Sequence, residues 1–161
     1  MRRLLLIMVL ASTGLLLIAT SSPAQTGDAW VGTWTLDIAQ SSYDPANLAP
    51  KSQTTKITAA GDTYTVTADG VNAAGQKTHE ETVYRFDAAD HEVKGASEAK
   101  TTRVYTRVDD HHYSYATKVN GLITTTSRVA VTPDGKTRAM TVSGRDAEGR
   151  VIRNFVVFNR Q

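Results

Sequence analysis

The sequence predicts an all-β protein: an antiparallel up-and-down meander of about eight to ten strands closed into a barrel. Three observations predict it. Beyond residue 30, apolar and polar residues alternate with period two in runs rich in Thr, Val and Tyr. The runs are separated by short turn signals, and short connections require antiparallel neighbours. A sheet of about ten strands tends to curl and close on itself.

The chain has 161 residues, which bounds it to one domain. Its formal charge is +2, from 18 Lys+Arg against 16 Asp+Glu. Arg2 and Arg3 account for that excess, so the remainder is balanced and carries no general basic footprint for nucleic acid. Cysteine is absent, which removes disulfides, thiolate metal sites and a cysteine nucleophile.

Met1–Arg3 is a positive start, Leu4–Ala19 is an apolar stretch, and Ser22 and Ala24 are small residues placed for cleavage before Gln25. That is the layout of a secretory signal peptide over residues 1–24. A membrane anchor prefers about 20 unbroken apolar residues, and Ser12, Thr13 and Gly14 interrupt this run. A single domain over residues 25–161, in the periplasm or secreted, with no membrane span once the leader is removed, is the expectation.

Strands are expected near Trp30–Asp37, Gln53–Ala59, Thr63–Ala68, Lys77–Phe86 and His91–Lys94. A second group is expected near Thr102–Val108, His112–Val119, Leu122–Thr132, Lys136–Ser143 and Arg150–Arg160. Asn120-Gly121 is a type I′ hairpin signal, because both central residues of that turn need positive φ. Asn72–Gly75, Pro133–Gly135 and Asp146–Gly149 fit type I turns closed by a left-handed Gly. Ile38–Lys51, with Pro45 and Pro50, lacks alternation and reads as a loop with room for one helical turn.

The segment from Gly61 to Gly75 matches Gly135 to Gly149 without a gap, which suggests a duplicated half-barrel; similar turns recruiting similar residues is the plainer account. The register fixes faces, because a one-residue slip exchanges them. It sends Ile57, Val66, Tyr84, Val131, Met140, Val156 and Phe158 inward, and with them Thr78, Glu80, Thr82, Arg138, Ile152, Asn154 and Arg160. Buried, Glu80, Arg138 and Asn154 would each need a partner, water or ligand; at the rims they would stay wet. Phe155–Phe158 is apolar on both faces, so its outer side is expected to be covered by Tyr43 and Leu48 or by a second subunit.

Trp30-Val-Gly32-Thr-Trp34 holds a G-x-W element early in the expected mature chain. This resembles the opening of lipocalins and fatty-acid-binding proteins, the calycin group. The resemblance implies a barrel closed by Gly32, Trp34 and an Arg from the last strand, for which Arg160 is the candidate. Gly32–Asp37, Ala49–Thr54, Asp69–Gly75 and Pro133–Thr137 are together similar to a group of secreted bacterial lipocalin-like proteins of uncharacterised function.

Asp109-Asp110-His111-His112 gathers potential metal ligands at one turn, but neighbouring strand residues face opposite ways, so a polar turn is the better reading and no metal is expected. His79, Glu80 and Glu81 meet the same objection. No nucleophile elbow, H-E-x-x-H or phosphate-cradling loop occurs, and neither cofactor nor catalytic residue is assigned. Tyrosines on strands suit core packing or the lining of a ligand pocket. The leading functional reading is therefore a small, partly apolar ligand held in the barrel, with Trp34, Tyr64, Tyr84, Tyr113, Arg138 and Asn154 as candidate lining. A filled barrel acting through its surface, as an inhibitor or envelope interaction module, is the alternative. An enzyme using the Asp/His turn or an inward Glu–Arg pair is a third reading with less behind it.

Overall fold

The computed structural model describes residues 27–95, 99–146 and 148–161; the expected leader lies outside them. Its strands are β1 (Gly32–Ser42), β2 (Ser52–Ala60), β3 (Thr63–Val71), β4 (Lys77–Tyr84), β5 (His91–Lys94), β6 (Thr101–Arg107), β7 (His112–Val119), β8 (Leu122–Val131), β9 (Thr137–Arg145) and β10 (Val151–Arg160). Each pairs antiparallel with its sequence neighbours, and β1 pairs with β10 to close the cylinder. Among the described residues the ten strands close on one another around one core.

β1 runs further than the alternation indicated. It continues to Ser42 through a bulge, where partners change from Asp37↔Val157 to Ser42↔Phe155. Asp37 organises the bulge: its carboxylate accepts from the Gln40 N–H at 3.1 Å and its carbonyl from the Ser41 hydroxyl at 2.6 Å. Extra residues in a bulge break period two, which is why this stretch resembled a loop. The helical turn beyond it is a 3-10 turn at Ala46–Leu48.

The faces follow the repeat. Ile57 and Val131, Thr82 and Val156, and Tyr84 and Phe158 are matched buried pairs, while Val66 and Met140 pack against the core. On the outer side of β10 the cover expected from Leu48 is not there. Val157 is buried, but Phe155 remains 43% exposed, and Leu48 turns to the barrel mouth instead of covering it.

The hairpins show the expected chemistry. Asn120 and Gly121 have φ of 51° and 83°, as a type I′ turn requires. In two other turns an Asp holds its own loop. Asp109 accepts from the His111 and His112 N–H groups, both at 2.8 Å, and Asp134 accepts from the Thr132 hydroxyl at 2.6 Å and the Lys136 N–H at 3.0 Å. The His111 N–H chiefly, for Asp109, and the Thr132 hydroxyl chiefly, for Asp134, hold these carboxyls below their usual range. A depressed folded-state pKa contributes stability that is fully present above about pH 4 and is lost as pH falls through the lower folded value. Amide protection, taken relative to the intrinsic exchange rate at each pH, is therefore expected to fall below about pH 4 at residues 109–112 and 132–137, and Asp134→Asn to flatten that dependence at its own turn.

Candidate functional site

One end of the barrel is sealed. Trp34 points in from the start of β1, fully buried, and its indole N–H donates to the Trp30 carbonyl at 2.8 Å. Arg160, paired with Trp34 across the closing strands, lays its guanidinium 4.3 Å from the indole centroid. That guanidinium donates to the carbonyls of Ala29 at 2.5 Å and Val31 at 2.7 Å, and its Nε to that of Gly135 at 2.5 Å. Gly32 makes room for it: φ is 144°, and a Cβ there would overlap the Arg160 guanidinium. Gly32, Trp34 and Arg160 thus form one closure.

The segment before β1 caps this end. Asp28 accepts from Arg107 at 2.5 Å and from the Tyr64 hydroxyl, and Arg107 lies 5.1 Å from the Trp30 ring centroid. Beneath the cap Trp30, Tyr64, Tyr84, Phe86, Tyr105 and Tyr113 pack ring against ring; Tyr84 and Tyr105 stack at 3.7 Å between centroids. The closed half of the lumen is therefore filled with aromatic side chains. The Tyr84 hydroxyl is buried without a hydrogen-bond partner. An unsatisfied buried hydroxyl has no net benefit, so Tyr84→Phe is expected to leave the melting temperature unchanged or raise stability by about 1 kcal/mol, read by thermal unfolding.

The opposite half is open. A cavity of about 410 Å³ occupies the mouth, walled by Leu48, Pro50, Met140 and Val142 and by the polar side chains of Thr78, Thr117, Thr125 and Ser127. Below it a chamber of about 80 Å³ is lined by Ile57, Val66, Tyr113, Tyr115, Arg138 and Phe158. Gln53, Ala68, Glu80, Arg103, Tyr115 and Met140 border both spaces and form the neck between them.

Two arginines enter this lumen in different electrostatic states. Arg103 donates to Glu80 at 2.9 Å and lies 5.3 Å from the Tyr115 centroid. Arg138 is deeper, 5% exposed, and packs 4.4 Å from the Phe158 centroid and 5.4 Å from that of Trp34. Among the described residues it has no carboxylate in ion-pair range, and its Nε–H is buried without a partner. Burial pushes the Arg138 pKa below its ordinary value; Tyr113, Tyr115 and Tyr84 oppose that push. Burial likewise raises the Tyr113 hydroxyl to about 12, so it stays protonated as a neutral donor beside Arg138. A guanidinium does not give up its proton under ordinary conditions, so the chamber holds an unmatched positive charge.

Of the candidate lining residues, Tyr113 and Arg138 border the chamber. Trp34, Tyr64 and Tyr84 belong to the closed-end core, and Trp34 meets the site only through Arg138. Asn154, half-buried near the start of β10, accepts from the Asp44 N–H at 3.1 Å and so tethers the β1–β2 connection. Ser127, which shares the inward phase of Val131 on β8, is not among the candidate lining residues, since a small hydroxyl gives no signal of lining a site. Nor are Arg103 and Tyr115, because the repeat gives no inward phase for β6 or β7. The buried Tyr105 and Tyr113, two residues from Arg103 and Tyr115 on their own strands, carry that phase.

The histidine-rich turn does not converge. His112 pairs with Asp109 at 2.8 Å, whereas His111 Nδ1 lies 3.2 Å from the Val131 carbonyl. Among the described residues no three His, Cys, Asp or Glu side chains gather as metal ligands, and no helix is long and apolar enough to cross a membrane. No protein-family model matches the chain. No curated protein matches it either.

Proposed function

We propose that this is a lipocalin-like binding protein that takes a small, partly apolar ligand bearing one acidic group into the open half of its barrel. One observation carries the reading: a buried guanidinium without a carboxylate lines a chamber beneath an open mouth. An uncompensated buried charge costs several kcal/mol, roughly, and a ligand anion offsets that cost while the neighbouring phenol supplies a further hydrogen bond. The chamber of about 80 Å³ has room for a carboxylate-sized head. The remainder would occupy the mouth, at about 410 Å³ within the usual range of small-molecule sites. Its wall of alkyl groups and hydroxyls suits a body that is itself only partly apolar. The kinship with lipocalin-like proteins belongs to this proposal and rests on the closure of Gly32, Trp34 and Arg160, as does a location outside the cytoplasm, which rests on the leader.

Calorimetry with octanoate and octanol tests the function. The acid is expected to bind at least about tenfold more tightly than the alcohol, the worth of one charge-assisted hydrogen bond. Equal affinities, or no heat with either, would remove the acidic group from the reading.

The surface-acting alternative has its own observation. A groove of about 440 Å³ on the outer wall is lined by Val108, Ala130, Ala139 and the exposed Phe155. Phe155→Ser separates the two readings, since it alters that groove and leaves octanoate binding unchanged.

A further inference from the structure

The ion pair in the neck of the lumen has hydrogen-bonding capacity left on both partners. Arg103 is a planar fork of five donors. Its Nη2 donates to Glu80 Oε2 at 2.9 Å, and its Nε–H is buried without a partner. The Tyr105 hydroxyl stands beside the same guanidinium, and even so the donors outnumber the acceptors around them. On the other partner, Glu80 Oε1 accepts no hydrogen bond among the described residues. The pair is held inside the barrel: β4 and β6 bring it together across the short β5, and the Tyr115 ring lies 5.3 Å from the guanidinium. Both side chains border the chamber and the mouth, whereas Arg138 borders the chamber alone. Charge is matched in the neck, unlike at Arg138, so this second arginine does not call for a second anion.

We infer that the ligand is a hydroxylated carboxylic acid, with its acidic group at Arg138 and a hydroxyl on one of the next carbons set in the neck against Arg103 and Glu80. The inference rests on the proposed function and narrows its ligand class. A hydroxyl both donates and accepts. Arg103 offers donors and Glu80 an acceptor side by side, so one hydroxyl engages both. A second carboxylate would meet the Glu80 charge, and a keto oxygen would leave Glu80 unused. Depth sets the spacing. The chamber, at about 80 Å³, has little room beyond the acidic head, so the carbons next to that head lie in the neck. The rest of the chain would follow into the mouth, where the alkyl groups of Leu48, Pro50 and Val142 alternate with Thr and Ser hydroxyls.

Calorimetry with octanoate, 2-hydroxyoctanoate, 3-hydroxyoctanoate and 8-hydroxyoctanoate tests it. The 2- or the 3-hydroxy acid is expected to bind at least about fivefold more tightly than octanoate, as a hydroxyl bonded to charged partners should. The 8-hydroxy acid carries the same group at the far end of its chain and should bind no more tightly than octanoate. Glu80→Gln combined with Arg103→Met removes the pair without stranding a charge. It should erase the gain from the hydroxyl and leave octanoate affinity unchanged. Octanoate binding with no gain from either neighbouring hydroxyl, or with an equal gain from the distant one, would overturn this inference and leave the proposed function standing. A gain that survives the double substitution would overturn it too, by placing the hydroxyl elsewhere. No binding of any of the four acids would overturn both.

Discussion

Arg138→Met is expected to make the protein more stable and to abolish its preference for an anionic ligand. Arg138 is 5% exposed, packs on Phe158 and Trp34, and has no carboxylate near it. Methionine fills much of the same slot without a charge, and replacing buried charged groups by apolar ones of similar size commonly stabilises by about 1–4 kcal/mol. For a chain of this size that is a rise in melting temperature of about 3–10 °C. The same substitution removes the guanidinium donors, so octanoate affinity should fall at least about thirtyfold. Thermal unfolding and calorimetry on one preparation read both effects. A lower melting temperature with unchanged affinity would make Arg138 a structural residue. Arg128, exposed on the outer wall, supplies the control: Arg128→Met should change neither.

The second large effect concerns the sealed end. Arg160→Leu removes donors from the carbonyls of Ala29, Val31 and Gly135 and uncovers the Trp34 ring, at a cost of about 3–5 kcal/mol. Gly32→Ala forces a side chain into the positive-φ backbone at 144° and into the guanidinium, at about 2–4 kcal/mol. The two costs should not add. With Arg160 shortened, the collision at Gly32 is relieved and only the backbone strain remains. A double-mutant cycle in urea is expected to give a coupling of about 1–2 kcal/mol between these positions. Additive losses would mean that Gly32 is required only for its backbone.

Most of the fold was legible because its signals are local. Period-two alternation placed ten strands, and Asn120-Gly121 placed a hairpin whose two φ angles are those the turn needs. The contacts of Arg160 with Trp34 and Gly32 follow from the inward phase of β10 and its pairing with β1. β1 was cut short because a bulge hides its alternation, and its organiser, Asp37, acts through backbone contacts that residue type does not announce. The site was legible only in part. Arg138 and Tyr113 were placed on the right face, but nothing along the chain says which inward aromatics fill the lumen and which border its open half. That division depends on depth along the axis: Tyr64 and Tyr84 sit below the chamber, under the cap built by Asp28 and Arg107. The ion pair of Glu80 with Arg103 joins β4 to β6 across the intervening β5, a pairing visible only once the barrel is assembled. It also explains why only one of the two inward arginines is left without a counter-charge.

In the proposed function, the guanidinium of Arg138 receives the ligand's acidic group. The Nε–H of Arg138 has no partner and can be followed directly by nitrogen–proton correlation NMR. Titration with octanoate is expected to move that resonance to a saturating shift and to slow its exchange with water, with octanol producing no comparable change. An Arg138 Nε–H resonance that stays fixed while octanoate binds elsewhere, or that responds equally to the alcohol, would contradict the account.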